Sequence, residues 1–136
     1  MKVLVLFAIL AFTAYAEEGE DVLILTDANY ADAMANNEFL FVKFYAPWCG
    51  HCKRLAPDWD KAATTLKEKG SKAAIGKMDC TVEKDTCGKN EVRGYPTLKF
   101  FANGELVEKY AGKRTAEDIV DYCLEKAGEK SGERDL

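Results

Sequence analysis

The sequence has 136 residues, of which 48% are hydrophobic, so it is long enough for one domain with a buried core and too short for two. It contains 19 Lys and Arg residues against 23 Asp and Glu residues, and the formal net charge of -4 excludes a basic nucleic-acid-binding surface. No sequence repeat and no Gly- or Pro-rich block divides the chain, which excludes solenoid arrays and long flexible linkers.

The N-terminal residues have the pattern of a secretory signal peptide. A lysine at position 2 precedes an unbroken apolar run over residues 3–12, and Ala14-Tyr15-Ala16 is a small-x-small cleavage site. A membrane anchor is the alternative, but a bilayer span needs about 20 apolar residues, and this run is much shorter. We therefore predict removal of residues 1–16 and no membrane span in the mature chain.

The rest of the chain is predicted to form one domain over residues 17–127 and a polar, disordered tail over residues 128–136. Export would place its five cysteines in an oxidising compartment. The chain ends in ERDL, which shares with the retrieval signal KDEL only an acidic penultimate residue and the final leucine. We expect the endoplasmic reticulum lumen as the location, with secretion as the alternative.

Hydrophobic patterns predict elements in the order β-α-β-α-β-α-β-β-α. Predicted strands cover residues 22–25, 39–45, 73–78, 97–101 and 107–110. Predicted helices cover residues 30–34, 49–69, 83–90 and 115–127. This order predicts a three-layer α/β sandwich, with a mixed central sheet and helices on both of its faces.

The segment Cys49-Gly50-His51-Cys52 is a Cys-x-x-Cys pair at the junction of a predicted buried strand and a helix. The spacing puts both side chains on one helix face, near enough to form a disulfide. Free N–H groups and the helix dipole lower the pKa of the Cys49 thiol, and a protonated His51 would add to this effect. A lower pKa favours the reduced form, so the pair is biased to donate its disulfide.

Cysteine spacing alone leaves other interpretations of this pair open. A fixed disulfide or half of a zinc site would use the same motif. Cys80 and Cys87 are seven residues apart and do not form a second Cys-x-x-Cys knuckle, so no metal is expected.

Two segments carry a resemblance to a known family. Residues 45–53 read Tyr-Ala-Pro-Trp-Cys-Gly-His-Cys-Lys, and residues 94–97 read Gly-Tyr-Pro-Thr. Over residues 22–127 the chain resembles a thioredoxin-fold domain of the protein disulfide isomerase family. The resemblance implies a cofactor-free thiol–disulfide oxidoreductase that forms and rearranges disulfides in secretory-pathway proteins. It implies Cys49 as the nucleophile and Cys52 as the resolving thiol.

The resemblance also implies that Pro96 is a cis-proline facing the dithiol. A Tyr-Pro bond costs only about 0.5 to 1 kcal/mol to hold cis. Such a turn would leave the backbone of Tyr95 and Thr97 free to pair with an extended substrate. An ordinary proline at a strand start is the alternative. Trp48 and Tyr95 are candidates for an apolar rim around the dithiol.

Two charged residues are further candidates for support of the active site. Family members often carry a buried glutamate six residues before the first active cysteine, but this chain has Lys43 there. Burial would lower the pKa of Lys43 until its neutral amine can accept a proton, unless the ammonium reaches water instead. Arg114 matches a family arginine that approaches the resolving cysteine, and it could equally be a solvated charge beside Lys113.

The remaining cysteines have simpler interpretations. Cys80 and Cys87 are close enough in sequence to pair. A disulfide that closes a loop of that size stabilises the folded state by roughly 2 to 3 kcal/mol, so we predict a structural disulfide. A second redox-active pair is the alternative. Cys123 lies on the apolar face of the last helix and is interpreted as a buried small hydrophobe.

The expected partners are unfolded or misoxidised secretory proteins, with glutathione or an upstream oxidase to recycle the dithiol, and the protein is expected to be a monomer. Two other functions stay open. A disulfide reductase of the thioredoxin type is one, although by resemblance that group has proline at the position of His51. A chaperone or binding module with minor redox activity is the other.

Overall fold

The computed structural model of the protein describes residues 19–130. The predicted signal peptide over residues 1–16 and the ERDL ending lie outside the described residues. Nine elements follow one another in the predicted order. The strands are β1 (Leu23–Leu25), β2 (Phe39–Tyr45), β3 (Ala73–Asp79), β4 (Thr97–Ala102) and β5 (Glu105–Lys109). The helices are α1 (Tyr30–Asn36), α2 (Gly50–Glu68), α3 (Lys84–Lys89) and α4 (Ala116–Lys126).

β2 is the central strand of a five-stranded sheet with the strand order β1-β3-β2-β4-β5. It pairs in parallel with β3 and antiparallel with β4, while β1 and β5 form the edges. Five consecutive residues of β2, residues 40–44, are buried, because helices cover both faces of the sheet. The predicted α/β fold with a mixed sheet is confirmed.

Successive side chains of β2 enter two different cores, as the two-residue period of a strand requires. Phe41 shares one core with Trp59 of α2 and Ile119 of α4. Phe44 shares the other core with Met34 of α1 and Cys87 of α3. Buried side chains on both faces of β2 therefore fix the strand that leads into the Cys-x-x-Cys segment.

A two-residue turn joins β4 to β5. Asn103 and Gly104 both have positive φ angles, 53° and 81°, which is the geometry that a tight hairpin requires. Pairing resumes directly after the turn, so β5 begins at Glu105. The sequence pattern predicts a start at residue 107, two residues too late. All residues of β5 are exposed, which explains why hydrophobic periodicity did not locate its start.

Ordered contacts extend into the predicted tail. The Glu129 carboxylate accepts hydrogen bonds from the Ser71 hydroxyl and from the backbone N–H of Lys72. These bonds tie the segment after α4 to the start of β3. No helix within residues 19–130 is long and apolar enough to cross a bilayer.

Candidate active site

The dithiol lies where β2 gives way to α2. Cys49 is the N-cap of α2, and its sulfur accepts a hydrogen bond of 3.3 Å from the backbone N–H of Cys52. The Cys49 N–H donates to the carbonyl of Ala46 at 3.1 Å, which closes the turn between strand and helix. An N-cap sulfur thus occupies the place where a Ser or Asp oxygen commonly satisfies free helix N–H groups.

The two thiols differ in acidity. Hydrogen bonding with the Cys52 thiol, N–H groups of Cys52 and His51, and the Arg54 guanidinium lower the pKa of Cys49 against a smaller opposing effect of burial. Burial, followed by the hydrogen bond with Cys49, raises the pKa of Cys52 to about 11. Cys49 is therefore the thiol that ionises first, whereas Cys52 stays protonated near neutral pH.

A loop before β4 packs against the dithiol. The Tyr95–Pro96 peptide bond is cis, and the Cys49 thiol donates to the Tyr95 carbonyl at 3.5 Å. The Tyr95 ring meets the Trp48 ring edge-on, with 5.8 Å between centroids. Trp48 is 68% exposed, so these two rings form an accessible apolar surface beside Cys49.

The positive charge beside the dithiol belongs to Arg54, which the sequence analysis missed. Arg54 Nη2 lies 2.7 Å from His51 Nδ1. A guanidinium can only donate, so Nδ1 is the acceptor in this contact. His51 contributes to the lowered pKa of Cys49 through its backbone N–H, and the cation that contributes is Arg54. Its position two residues after Cys52, on the first turns of the helix, is the signal that could have found it.

Lys43 is buried, with only 3% of its surface exposed, and does not reach water in the way that one sequence interpretation proposed. Its Nζ lies 5.3 Å from the centroid of the Tyr45 ring and 5.8 Å from that of Trp59. Burial, and then repulsion by Lys77, lowers the pKa of Lys43 to about 8, although Asp60 and Cys52 oppose this shift. A neutral amine is accordingly accessible to Lys43 near physiological pH.

Lys77 of β3 was also missed by the sequence analysis. It is the register partner of Lys43 across the parallel β2–β3 pair, and its Nζ lies 5.9 Å from the Tyr45 ring. Because that register depends on a pairing between distant parts of the chain, no local pattern reveals it. The alternation of β3 could show only that Lys77 lies in a strand.

Comparison with known proteins agrees with this geometry. Residues 21–125 match the thioredoxin family model. The chain belongs to the thioredoxin family. Protein disulfide-isomerase from Oryctolagus cuniculus is 47% identical over 115 residues, which cover 83% of this chain and 23% of that protein. The Drosophila melanogaster protein disulfide-isomerase is 47% identical over 135 residues, covering 94% and 27% respectively. The chain thus spans about a quarter of the length of these relatives.

Solved structures give the same picture at the level of one thioredoxin domain. The first thioredoxin domain of mouse protein disulfide-isomerase A4 has a TM-score of 0.72 and 40% identity, covering 82% of this chain and 79% of that one. Human ERp44 form I has a TM-score of 0.75 and 26% identity, covering 82% and 30%. The similarity therefore extends over about four-fifths of an isolated thioredoxin domain.

Cys80 and Cys87 form a disulfide in this thioredoxin-family domain. Their Cα atoms are 5.7 Å apart, and the bond joins the residue after β3 to α3. Both cysteines are buried. Cys123 is a free thiol without exposed surface inside the core, and burial raises its pKa.

Arg114 is not brought to the dithiol. It lies exposed in the segment before α4, and within residues 19–130 its side chain has no hydrogen bond or ion pair. The same part of the chain contains no group of three or more His, Cys, Asp or Glu side chains that could hold a metal ion.

Proposed function

We propose that this domain is a protein thiol–disulfide oxidoreductase of the protein disulfide-isomerase type, which forms and rearranges disulfides in secretory-pathway proteins. The observation that supports this most directly is the unequal acidity of Cys49 and Cys52 at the start of α2. An exchange catalyst needs one thiol that attacks as a thiolate and a second that is held in reserve.

Oxidation of a substrate starts from the Cys49–Cys52 disulfide. A substrate thiolate attacks Cys49 Sγ, a new S–S bond forms, and the electron pair of the broken bond leaves on Cys52 as a thiolate, which takes up a proton. A second substrate thiolate then attacks the substrate sulfur of this mixed disulfide and releases Cys49 as a thiolate. The substrate loses two electrons and the enzyme dithiol gains them.

Isomerisation starts from the reduced dithiol. The Cys49 thiolate attacks a wrong substrate disulfide and releases one substrate thiolate. That thiolate, or another in the same substrate, attacks a different sulfur until Cys49 is expelled unchanged, so no electrons are transferred overall. If the mixed disulfide stalls, Cys52 attacks Cys49 Sγ and frees the substrate in reduced form.

Lys43 is proposed as the proton acceptor for Cys52 in that release step. The pKa of Cys52, about 11, leaves few thiolates near neutral pH, so the step needs a base. Lys43 has a pKa of about 8, interacts electrostatically with Cys52 and lies in the strand that leads to the active turn. We also propose that Arg114, whose exposed side chain is unpaired within residues 19–130, approaches Cys52 during this step.

Substrate binding is assigned to the surface around Tyr95. The exposed Trp48 ring and the Tyr95 ring offer apolar contacts, and the backbone of Tyr95 and Thr97 is proposed to pair with extended polypeptide. The proposed substrates are unfolded or misoxidised secretory proteins. Glutathione or an upstream oxidase would recycle the dithiol, without a cofactor, and the domain would act as a monomer.

The endoplasmic reticulum lumen is the compartment we propose, with secretion as the alternative. The Cys80–Cys87 disulfide supports an oxidising environment, because such bonds are rare where glutathione keeps thiols reduced. We propose that this buried pair is structural and stays closed while Cys49 and Cys52 turn over.

Trapping of the mixed disulfide tests this function. The Cys52→Ser variant, incubated with a scrambled disulfide-bonded protein, should accumulate a covalent adduct through Cys49 that reductant removes. Cys49→Ser should form none, and Cys123→Ser is the matched control for loss of a cysteine. Absence of an adduct in Cys52→Ser would contradict the assigned roles. A reduction potential far below that of glutathione would instead indicate a thioredoxin-type reductase.

A further inference from the structure

The Cys80–Cys87 disulfide belongs to a closed path of contacts that includes the nucleophile. On one side, the Cys80 N–H donates to the carbonyl of Tyr45 at 2.9 Å. Tyr45 is the last residue of β2, and the next residue, Ala46, accepts from the Cys49 N–H at 3.1 Å. One end of the disulfide is therefore hydrogen-bonded to the base of the turn that carries Cys49.

The other end of the disulfide is linked to the loop that touches the Cys49 sulfur. The Cys87 carbonyl accepts from the Val92 N–H at 3.1 Å. Three residues later, the Tyr95 carbonyl accepts from the Cys49 thiol at 3.5 Å. Tyr95 packs both against the core that contains Cys80 and Cys87 and against the buried cluster around Cys49.

α3, which carries Cys87, has little stability of its own. It has six residues, includes Gly88, and begins at an N-cap, Glu83, whose side chain makes no capping hydrogen bond. A helix of this length does not persist in water without tertiary contacts. The disulfide and the hydrogen bond from the Thr86 N–H to Asp27 Oδ1 supply such contacts.

From this path we infer that the Cys80–Cys87 disulfide is a positioning element of the active site, which holds the Tyr95 carbonyl against the Cys49 thiol. The inference rests on the proposed function, because it assigns the disulfide to the nucleophile of that reaction. Cys80 and Cys87 touch neither substrate nor the reacting sulfur atoms, so they are positioning residues and not catalytic ones.

The hydrogen bond to the Tyr95 carbonyl affects the ionisation of the Cys49 thiol. A carbonyl that accepts from a thiol S–H stabilises the neutral thiol over the thiolate. If the disulfide is removed, the loop can move away, and Cys49 should ionise at lower pH. The other titratable or charged groups around Cys49 are Cys52, His51 and Arg54 of α2, with Lys43 of β2 acting through Cys52. Cys52 is replaced by Ser in every protein compared below, and the other groups are unchanged.

The test uses the Cys52→Ser background of the full mature chain. Cys49 cannot form the active-site disulfide in this background, so it is a free thiol and no reductant has to be added. Cys80→Ala and Cys87→Ala are added together, and the pH dependence of Cys49 alkylation by iodoacetamide is followed by mass spectrometry. The midpoint should move to lower pH, so that alkylation well below the midpoint becomes about threefold faster. Greater access alone would raise the plateau rate at high pH without moving the midpoint.

Two additions separate positioning from loss of stability. Cys123→Ala in the same background perturbs the opposite core and should leave the midpoint unchanged. If the double variant folds poorly, Gly88→Ala is added to stabilise α3, because a Cβ at that position meets nothing within 4 Å. An unchanged midpoint in a folded double variant would overturn the inference, as would an equal shift in Cys123→Ala.

The proposed function is tested separately in the same preparations. If the Cys52→Ser background captures a disulfide-bonded protein and the midpoint does not move, the positioning role fails and the function stands. If it captures nothing but the midpoint moves, the function fails, while the disulfide still positions Tyr95.

Discussion

Lys43 of β2 and Lys77 of β3 are register partners across the parallel strand pair, and both amino groups reach the same aromatic ring, that of Tyr45. Two ammonium groups so placed repel each other, and Lys43 is also buried. Burial and this repulsion together bring the pKa of Lys43 to about 8. The strand pair below the dithiol thus holds an amine that is partly neutral near pH 8, where a lysine would ordinarily be a permanent cation.

Lys43→Met should slow the release of substrate from a mixed disulfide. In the unmodified protein the fraction of neutral Lys43 rises as pH passes through about 8, so the release rate should rise between pH 7 and pH 9. The variant should be slower, and its rate should keep rising above pH 8 where that of the unmodified protein levels off, because its rate then follows only the Cys52 thiolate, whose pKa is about 11. The measurement is the decay of a glutathione adduct on Cys49 in stopped flow. Lys77→Met should keep the rise but move it to higher pH, and identical profiles in all three proteins would contradict the role of Lys43.

The same substitution should stabilise the folded state. Lys43 has a lower pKa when folded than its usual 10.5, so the unfolded chain binds more protons and stability increases as pH rises through this interval. At pH 7 the cost of burying the ammonium is still present, and Lys43→Met should raise the free energy of unfolding by about 2 to 3 kcal/mol. Urea titration at pH 7 and pH 10 checks this, because the advantage of the variant should shrink at the higher pH.

Arg54→Gln should make Cys49 less acidic. The Cys52 thiol and helix N–H groups contribute most to the lowered pKa of Cys49, and the Arg54 guanidinium adds to it. Loss of that charge should move the midpoint of Cys49 alkylation to higher pH, by about 0.3 of a pH unit for an exposed charge. Lys53→Gln removes a cation from the same helical turn and serves as the control. Equal shifts in both variants would show that only net charge matters.

Asp27→Asn should weaken the protein most at neutral pH. Asp27 Oδ1 accepts from the Thr86 N–H, and the Asp27 N–H donates to Glu83, so this residue caps α3 from a distant part of the chain. Hydrogen bonds with Thr86 are the main cause of its lowered pKa. The stabilisation is therefore present above the unfolded value of 3.8 and is lost as pH falls through the folded one. Thermal unfolding at pH 6 and pH 3 should show a difference from the parent protein that shrinks in acid, with Asp32→Asn as the control on α1.

Arg114→Gln tests whether an exposed arginine takes part in release. If Arg114 approaches the Cys52 thiolate during the reaction, the variant should release substrate about threefold more slowly, with the initial attack by Cys49 unchanged. Lys113→Gln is the adjacent control. Equal rates in the parent protein and both variants would leave Arg114 as a solvated surface charge.

Local pattern predicted the central elements well because burial dictates their sequence. The strand over residues 39–45 is found with the predicted bounds, since its apolar run lies between two cores. The start of β5 was predicted two residues too late and its end one residue too late, because an exposed edge strand carries no hydrophobic periodicity. The tail was predicted to start at residue 128, but Glu129 has partners near β3 that only the fold brings within reach.

Much of the candidate site could be predicted because its chemistry is local. The Cys-x-x-Cys spacing and the helix start place Cys49 at an N-cap, as observed. The neighbours that adjust the two thiols could not be predicted, because Lys77 depends on strand register and Arg54 on a side-chain contact with His51. The burial of Lys43 likewise depends on α2, whose Trp59 covers it.

The chain contains two tryptophans, and the fold gives them opposite surroundings. Trp48 is 68% exposed beside the dithiol, whereas Trp59 has no exposed surface. Their fluorescence should therefore separate into a long-wavelength component from Trp48 and a short-wavelength component from Trp59. A bound polypeptide would shift the first and leave the second, while unfolding would shift the second, so the unlabelled protein is its own optical reporter of both events.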